Sequence, residues 1–389
     1  MGMNALPSDI SLNIFSRLDV DSVLECKLVC KPWRNLIKDP SFARMHLARH
    51  KLILQYHEDS YIQDFSNNAC DTVQSGFLSL KQIGRSNRRT LHYVENDVDV
   101  KEKSYKIKNK MINIPPIKDR AQFDSEHFMI SSCNGLICSS MRHHQLNDPI
   151  HIFNPVTREY AYLPRYTCEE ENGAYEMMSG FGYSPSTDQY KVVRIYHKRN
   201  DKWYFQVYVL GNENNKWKEE KEIPNSLFHN VGGKGVFVNG EIYWLDQASK
   251  VATFDIADEE FHHIASPPLV EEVGSTIEKR LCVFGDWLCL VHRISALGGF
   301  DPRFDIWLLK KKNNDINVQQ NGTRNWNKEF TVYSICRNPG KFFFPLVFTK
   351  KGKCAGLFAL ASIPFSVAAL NCAFFVYFFL PYSIKLYPF

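Results

Sequence analysis

The sequence predicts an α+β multidomain protein, in which a small N-terminal domain of three helices precedes an all-β, propeller-like domain. Apolar residues recur at helical spacing over the first 50 positions. A strand-turn-strand unit then recurs from Ser131 onward with a period of about 50 residues, which is typical of four-stranded propeller blades. A third observation, an uncharged segment between residues 355 and 384, leaves the completeness of the propeller at its C-terminal end open.

The first helix is expected to begin at Pro7-Ser8-Asp9, where Ser8 can cap the helix and Asp9 complements the positive end of its dipole. Apolar residues then recur four positions apart, at Ile10, Ile14 and Leu18. Asp19 and Asp21 can cap a second helix, and Pro32 suits the first turn of a third, which Pro40 ends. The apolar stripes of these two helices contain Leu24, Leu28, Val29, Trp33, Leu36 and Ile37.

Three short helices cannot bury all of these side chains against each other, because so small a unit is marginal alone. An exposed apolar surface built from several helices usually marks a partner site. The alternative is that the helices form a cap on the larger domain. The residue pattern by itself leaves both interpretations open.

The stretch resembles the F-box, through Leu6-Pro7, the Val29-Cys30-Lys31 run, Trp33-Arg34 and Pro40-Ser41-Phe42, in the family's order and spacing. The resemblance implies binding to a Skp-type adaptor and, through it, to a cullin. Short apolar helices that dock into a groove between a partner's helices would be the physical mode. The residues expected to contact the adaptor, or to pack beneath those contacts, are Leu6, Pro7, Ile10, Ile14, Leu18, Leu24, Val29, Trp33, Leu36 and Ile37.

Composition places the chain among ordinary globular proteins, with 389 residues, 44% hydrophobic and 23% charged. The net charge of +5 is too small to argue for a nucleic-acid partner. Eleven cysteines without a CxxC pair are interpreted as reduced thiols of an intracellular protein. The N-terminus lacks the pattern of a secretory signal, so the expected location is the cytoplasm, the nucleus or both.

Residues 51–120 are expected to form a linker and the first strands, after an F-box domain at residues 1–50. From Lys81 to Lys110 there are nine Lys or Arg residues against four Asp or Glu residues. This bias could indicate a patch for an acidic partner. A solvated linker with outer strands is the preferred interpretation, because acidic residues are interspersed and aromatic residues are few.

Residues 121–353 are expected to contain the β domain, in which each repeat has four strands. The first turns of the repeats fall at Asn134-Gly135, near residue 187, at Asn239-Gly240 and at Gly285-Asp286. Asn-Gly between apolar runs is a strong hairpin signal, because both residues tolerate positive φ. Aromatic residues near each fourth strand are expected to pack between neighbouring blades.

The β region resembles the F-box-associated, kelch-like domain of plant F-box proteins. The segments that carry this resemblance are SCNGLICSS, IHIFNPVTREYAYLP, GFGYSPSTDQYKVVRIY, GVFVNGEIYWL and VATFDIADEEF. In that family the domain presents loops that select the protein to be ubiquitinated. The resemblance therefore implies a substrate-recognition subunit of a Skp–cullin–F-box ubiquitin ligase, whose target the sequence does not reveal.

The tail at residues 354–389 departs from this family pattern. A fifth repeat begins at Phe342, but residues 355–384 contain no charge and are long enough to span a bilayer. Three interpretations are open: a membrane anchor, a very apolar last blade, or an altered reading of the gene such as a retained intron. With a true anchor, the protein could instead be a membrane-bound propeller that acts as a scaffold or ligand-binding protein without a ligase.

Catalytic motifs are missing from the sequence, which contains no GxSxG, HExxH, phosphate-loop or dinucleotide fingerprint. His143-His144 lie near Cys133 and Cys138, but the spacing fits no familiar zinc site. We therefore expect no enzyme activity, no cofactor and no metal.

Overall fold

A computed structural model describes residues 6–18, 20–39, 41–42, 45–46, 72–82, 89–99, 104–112, 127–143, 146–155, 159–167, 173–224, 234–246, 250–268, 275–284, 287–296, 303–311, 324–333 and 374–375. Three short helices precede twenty strands within these residues. Residues 51–71, at the start of the expected linker, lie outside the described part of the chain.

The helical domain contains α1 (Ser8–Phe15), α2 (Val20–Val29) and α3 (Lys31–Lys38). Pro32 lies in the first turn of α3, as its missing N–H predicts. The expected cap of α1 is wrong: Pro7 occupies the N-cap position, Ser8 is already inside the helix, and no side chain caps it. The Pro7 carbonyl instead accepts the N–H groups of Ile10 and Ser11, both at 3.1 Å.

The core of the helical domain is small and draws on all three helices. Phe15, Val23, Ile37 and Phe42 are buried at its centre. The ring of Phe15 packs edge-on against Trp33, with 4.9 Å between the ring centroids. Each side chain of this size contributes roughly 1.5–3 kcal/mol when it is fully buried, which offsets part of the conformational entropy that the three helices lose on folding.

The described strands of the β region form five antiparallel sheets of four strands, each folded from consecutive strands except for one strand of sheet 1. Sheet 1 contains β1 (Thr72–Gln82), β2 (Arg89–Asp99), β3 (Ser104–Ile112) and β20 (Phe374–Phe375). Sheet 2 contains β4 (His127–Cys133), β5 (Leu136–His143), β6 (Leu146–Phe153) and β7 (Tyr160–Tyr162).

The next three sheets repeat the same meander. Sheet 3 contains β8 (Ala174–Ser184), β9 (Gln189–Lys198), β10 (Trp203–Val209) and β11 (Lys221–Ile223). Sheet 4 contains β12 (Val236–Val238), β13 (Glu241–Leu245), β14 (Val251–Asp255) and β15 (Glu260–Ile264). Sheet 5 contains β16 (Ser275–Phe284), β17 (Trp287–Ala296), β18 (Arg303–Lys311) and β19 (Arg324–Tyr333). The propeller-like, four-strand repeat predicted from the sequence is confirmed.

Two of the predicted hairpin turns have the backbone that their sequence favours. Asn134 and Gly135 have φ values of 47° and 80°, and Asn239 and Gly240 have values of 50° and 88°. Positive φ at both central residues matches the twist of the flanking strands. The turn expected at Gly285-Asp286 lies outside the described residues.

One face of sheet 3 is apolar and packs against sheet 4. Val193, Ile195 and Phe205 of sheet 3 share a buried cluster with Ile242 and Phe254 of sheet 4. The inner strands approach closely because Gly180 has no side chain: a Cβ atom there would lie 2.5 Å from Cγ2 of Ile242. The core of the β region is therefore formed between sheets rather than within one sheet.

The opposite face of sheet 3 carries buried charges that meet sheet 2. Arg194 Nη1 lies 3.3 Å from Asp148 Oδ1, and both side chains are almost fully buried. The second carboxylate oxygen of Asp148 accepts the Tyr166 backbone N–H at 2.8 Å, and Arg194 Nη2 donates to Gln206 at 2.7 Å. Burial raises the pKa of Asp148 despite the guanidinium beside it. Because each charge has partners, removing one would leave the other buried and unpaired.

The C-terminal tail is described at two residues only. Phe374 and Phe375 pair with Leu78 and Phe77 of β1. This pairing agrees with the interpretation that the tail completes a blade, but the rest of residues 354–389 lies outside the described part, so all three interpretations stay open. In the part of the chain that the structure describes, no helix is both long and apolar enough to cross a membrane.

Candidate adaptor-binding surface

Large apolar side chains are exposed at two places on the helical domain. At the start of α1, Leu6 is 40% exposed and Ile10 is 47% exposed. At the end of α2, Leu28 is 77% exposed and Val29 is 65% exposed. Apolar side chains this exposed gain free energy when a partner covers them.

The ten residues expected to serve the adaptor fall into two groups. Leu6, Pro7, Ile10 and Val29 are exposed, and Ile14 is half-buried on the same helix as Ile10. Ile37 is fully part of the core, and four half-buried side chains pack against that core: Leu18, Leu24, Trp33 and Leu36. The structure therefore brings the first group to the surface and uses the second group to hold the helices in place.

Leu28 is the most exposed of these apolar side chains and was not among the ten candidates. The sequence does contain a signal for it, because Leu28 belongs to the apolar stripe expected on α2. Spacing on a helix indicates which residues share a face but not whether that face is covered. We therefore add Leu28 to the candidate surface.

Polar contacts fix the mutual positions of the helices beneath this surface. Arg34 Nε of α3 donates to the backbone carbonyl of Lys27 in α2 at 3.1 Å. His46 Nε2 lies 3.1 Å from the carbonyl oxygen of Leu18, which follows α1. On α1 itself, Arg17 Nε donates to Oδ1 of Asn13 at 3.0 Å. These contacts tie α2 to α3 and the end of α1 to His46.

Lys27 also relates the helical domain to the β region. Burial lowers the pKa of its ammonium group, the carboxylate of Glu159 raises it, and Lys38 lowers it, so that the pKa falls below its usual value. Glu159 lies in the connection between β6 and β7 of sheet 2. A carboxylate of the β region thus acts electrostatically on a lysine of α2.

Metal ligands do not cluster in the described ranges, where no group of three or more His, Cys, Asp or Glu side chains could hold an ion. The described helical surface offers exposed apolar side chains to a partner.

Comparison with known proteins decides the family. The model of the F-box associated beta propeller domain matches residues 88–345. The chain belongs to this family. A second model, described as F-box-like, matches residues 3–48, which contain all three helices. The chain is thus an F-box protein with a C-terminal F-box-associated domain, as the resemblance implied.

Curated relatives agree with this assignment. F-box protein At3g07870 of Arabidopsis thaliana is 25% identical over 359 residues, covering 85% of this chain and 73% of the relative. F-box protein CPR1 of the same plant is 25% identical over 382 residues, covering 90% of this chain and 79% of the relative. F-box/kelch-repeat protein At3g23880, also from Arabidopsis thaliana, is 22% identical and covers 67% of this chain and 65% of the relative. The combination of domains is that of a substrate-recognition F-box protein.

Proposed function

We propose that the chain is the substrate-recognition subunit of a Skp–cullin–F-box E3 ubiquitin ligase. Its helical domain would bind the Skp-type adaptor and, through it, the cullin, while the β domain would bind the protein to be ubiquitinated. The observation that carries the proposal is the F-box-like match over residues 3–48, whose helices leave Ile10, Leu28 and Val29 exposed.

The energetics of the exposed residues support this use. Covering a Leu, Ile or Val side chain contributes roughly 1.5–3 kcal/mol. Beneath the surface, Phe15 and Ile37 are already buried. A rigid scaffold with exposed anchors loses little conformational entropy on binding, which favours affinity.

The chain would perform no bond chemistry itself. It would act by proximity, because a target held on the β domain stays at high effective concentration near the conjugating enzyme that the ligase recruits.

We propose residues 1–50 as the F-box domain, 51–120 as linker and first strands, and 121–353 as the target-binding domain. The role of the tail at 354–389 stays open. The proposed location is the cytoplasm, the nucleus or both.

The test is the affinity of the full-length chain for a purified Skp-type adaptor. Ile10→Asp places a charge in the exposed group, and we expect adaptor affinity to fall at least about ten-fold, which corresponds to roughly 1.4 kcal/mol. Asn13→Asp is the matched control, because it adds the same charge to the same helix and keeps an oxygen for Arg17. Leu28→Gln tests the second exposed site.

Circular dichroism of each variant shows whether the helices still form. Weakened binding in the Ile10 and Leu28 variants, with the Asn13 variant unchanged, supports the proposal. Wild-type affinity in both apolar-site variants would show that these side chains do not contact the adaptor. A wild-type chain that does not bind the adaptor at all would overturn the proposed ligase role.

A further inference from the structure

Two cysteines of sheet 5 face each other across neighbouring strands. Cys282 on β16 is registered directly opposite Cys289 on β17, two positions beyond the pair Phe284 and Trp287 that closes the hairpin. The two thiols are in hydrogen-bond contact. Cys289 is completely buried and Cys282 is half-buried.

The register satisfies the distance that a disulfide needs. Directly opposite residues of an antiparallel pair have Cα atoms about 4.5–5.5 Å apart. A disulfide bridges Cα atoms about 4.4–6.8 Å apart. The unbroken ladder from Ser275–Ala296 to Phe284–Trp287 fixes both backbones, so a bond can form without moving either strand.

The remaining described cysteines lack this arrangement. Cys133 is registered opposite Leu136, and Cys138 is opposite Ser131, although both belong to one hairpin. Cys26 lies within α2, and Cys30 precedes α3. Among the cysteines that the structure describes, direct cross-strand opposition is thus a property of Cys282 and Cys289 alone.

We infer that Cys282 and Cys289 form a reversible dithiol–disulfide couple in the folded protein, with a small-molecule disulfide such as oxidised glutathione as the oxidant. The Cys282 thiolate attacks the glutathione disulfide, which forms a mixed disulfide and releases one glutathione thiolate. The Cys289 thiolate then attacks the sulfur of Cys282 and releases the second glutathione. The protein loses two electrons and two protons, and one oxidised glutathione becomes two reduced molecules.

Exposure assigns the order of these two steps. Cys282 is partly exposed, so the dissolved glutathione disulfide reaches its thiol first. Burial raises the pKa of Cys289 most strongly, and the neighbouring thiol of Cys282 raises it further. The second step therefore has little thiolate available, and the couple approaches equilibrium slowly.

The disulfide would act on the contact between sheets 4 and 5. Leu281 and Val283, the chain neighbours of Cys282, pack against Val238, Tyr243 and Val251 of sheet 4. A covalent bond between the strands would hold this hairpin at fixed register. The loop that it closes is short, so its main effect is on local fluctuation rather than on unfolded-state entropy.

The experiment equilibrates the full-length protein in glutathione buffers of increasing oxidised fraction, blocks remaining thiols by alkylation, and measures tryptic peptides by mass spectrometry. Both cysteines lie in the peptide from Leu281 to Arg293. Its disulfide form is two hydrogens lighter than the dithiol and takes up no alkyl group. The tryptic peptide that contains both Cys133 and Cys138 is an internal control, because trypsin does not cut between these two cysteines either.

We expect half oxidation of the 281–293 peptide at an oxidised-glutathione level at least about ten-fold lower in the folded protein than in urea, because the register supplies a high effective concentration. At the same level of oxidised glutathione, the control peptide should remain alkylated. Cys289→Ser should instead trap glutathione on Cys282. Equal midpoints in the folded protein and in urea, or only mixed disulfide on the wild-type peptide, would overturn the inference.

Discussion

The indole nitrogen of Trp217 donates a hydrogen bond of 2.7 Å to the backbone carbonyl of Pro164, across the boundary between sheets 3 and 2. Trp326 of sheet 5 makes the same contact with the carbonyl of Ala265, also at 2.7 Å, at the boundary with sheet 4. In both cases the acceptor follows the last strand of the preceding sheet. The expected aromatic packing between neighbouring repeats is confirmed, and it includes a directional bond.

Replacing either tryptophan by phenylalanine should loosen the boundary that it spans. Trp217→Phe and Trp326→Phe keep an aromatic ring but remove the donor of the bond. We expect the free energy of unfolding to fall by about 1–3 kcal/mol for Trp217→Phe, whose bond is partly buried, and by about 0.5–1.5 kcal/mol for Trp326→Phe, whose bond is exposed to water. Urea denaturation measures this loss. Trp287→Phe is the control, because Trp287 is 41% exposed and should change stability little. Equal stability of all three variants would show that the bond is not significant.

Gly180 should tolerate no side chain. An added Cβ would lie 2.5 Å from Ile242 Cγ2 and 2.8 Å from the ring of Trp244, both on the neighbouring sheet. We expect Gly180→Ala to cost about 1–3 kcal/mol in the free energy of unfolding, as other overpacked cores do. A double-mutant cycle with Ile242→Ala tests the cause, since the shortened side chain leaves room for the new methyl group. The same cost in both backgrounds would show that the overlap with Ile242 is not its source.

His292 should make the folded protein sensitive to mild acid. Burial and the nearby Lys279 and Lys328 lower the pKa of its imidazole to about 4, although Asp305 acts in the opposite direction. Between pH 6.5 and about 4 the unfolded chain takes up a proton that the folded chain does not, so the free energy of unfolding falls as the pH falls. Above pH 6.5 the imidazole is neutral in both states and contributes no pH dependence.

The check compares urea unfolding at pH 7.5 and pH 5 for the wild-type chain and His292→Gln. We expect the loss on acidification to be smaller in the variant, because its side chain does not titrate. His263→Gln is the control, since this imidazole is exposed on β15 and its replacement should leave the loss unchanged. A wild-type pH dependence in the His292 variant would rule out this histidine as the source.

Local chemistry explains which features the sequence could predict. The Asn134-Gly135 turn depends only on residues that tolerate positive φ, and it forms where the sequence places it. The buried Arg194–Asp148 pair could not be predicted in this way, because a polar residue at alternating positions along a strand is expected to face the solvent. In the structure this face of the strand is covered by the neighbouring sheet. Likewise, helical spacing grouped exposed Ile10 with half-buried Leu18, because one stripe contains both core and surface positions.

The pairing of β20 with β1 has a consequence for biosynthesis. Phe77 and Leu78 emerge from the ribosome early, whereas the two residues that pair with them follow every other described strand. During translation, the edge of β1 therefore stays without this partner while the later sheets are made. An uncovered strand edge can join the edge of another nascent chain, so yield in the cell should depend on chaperones that shield β1 until the tail arrives.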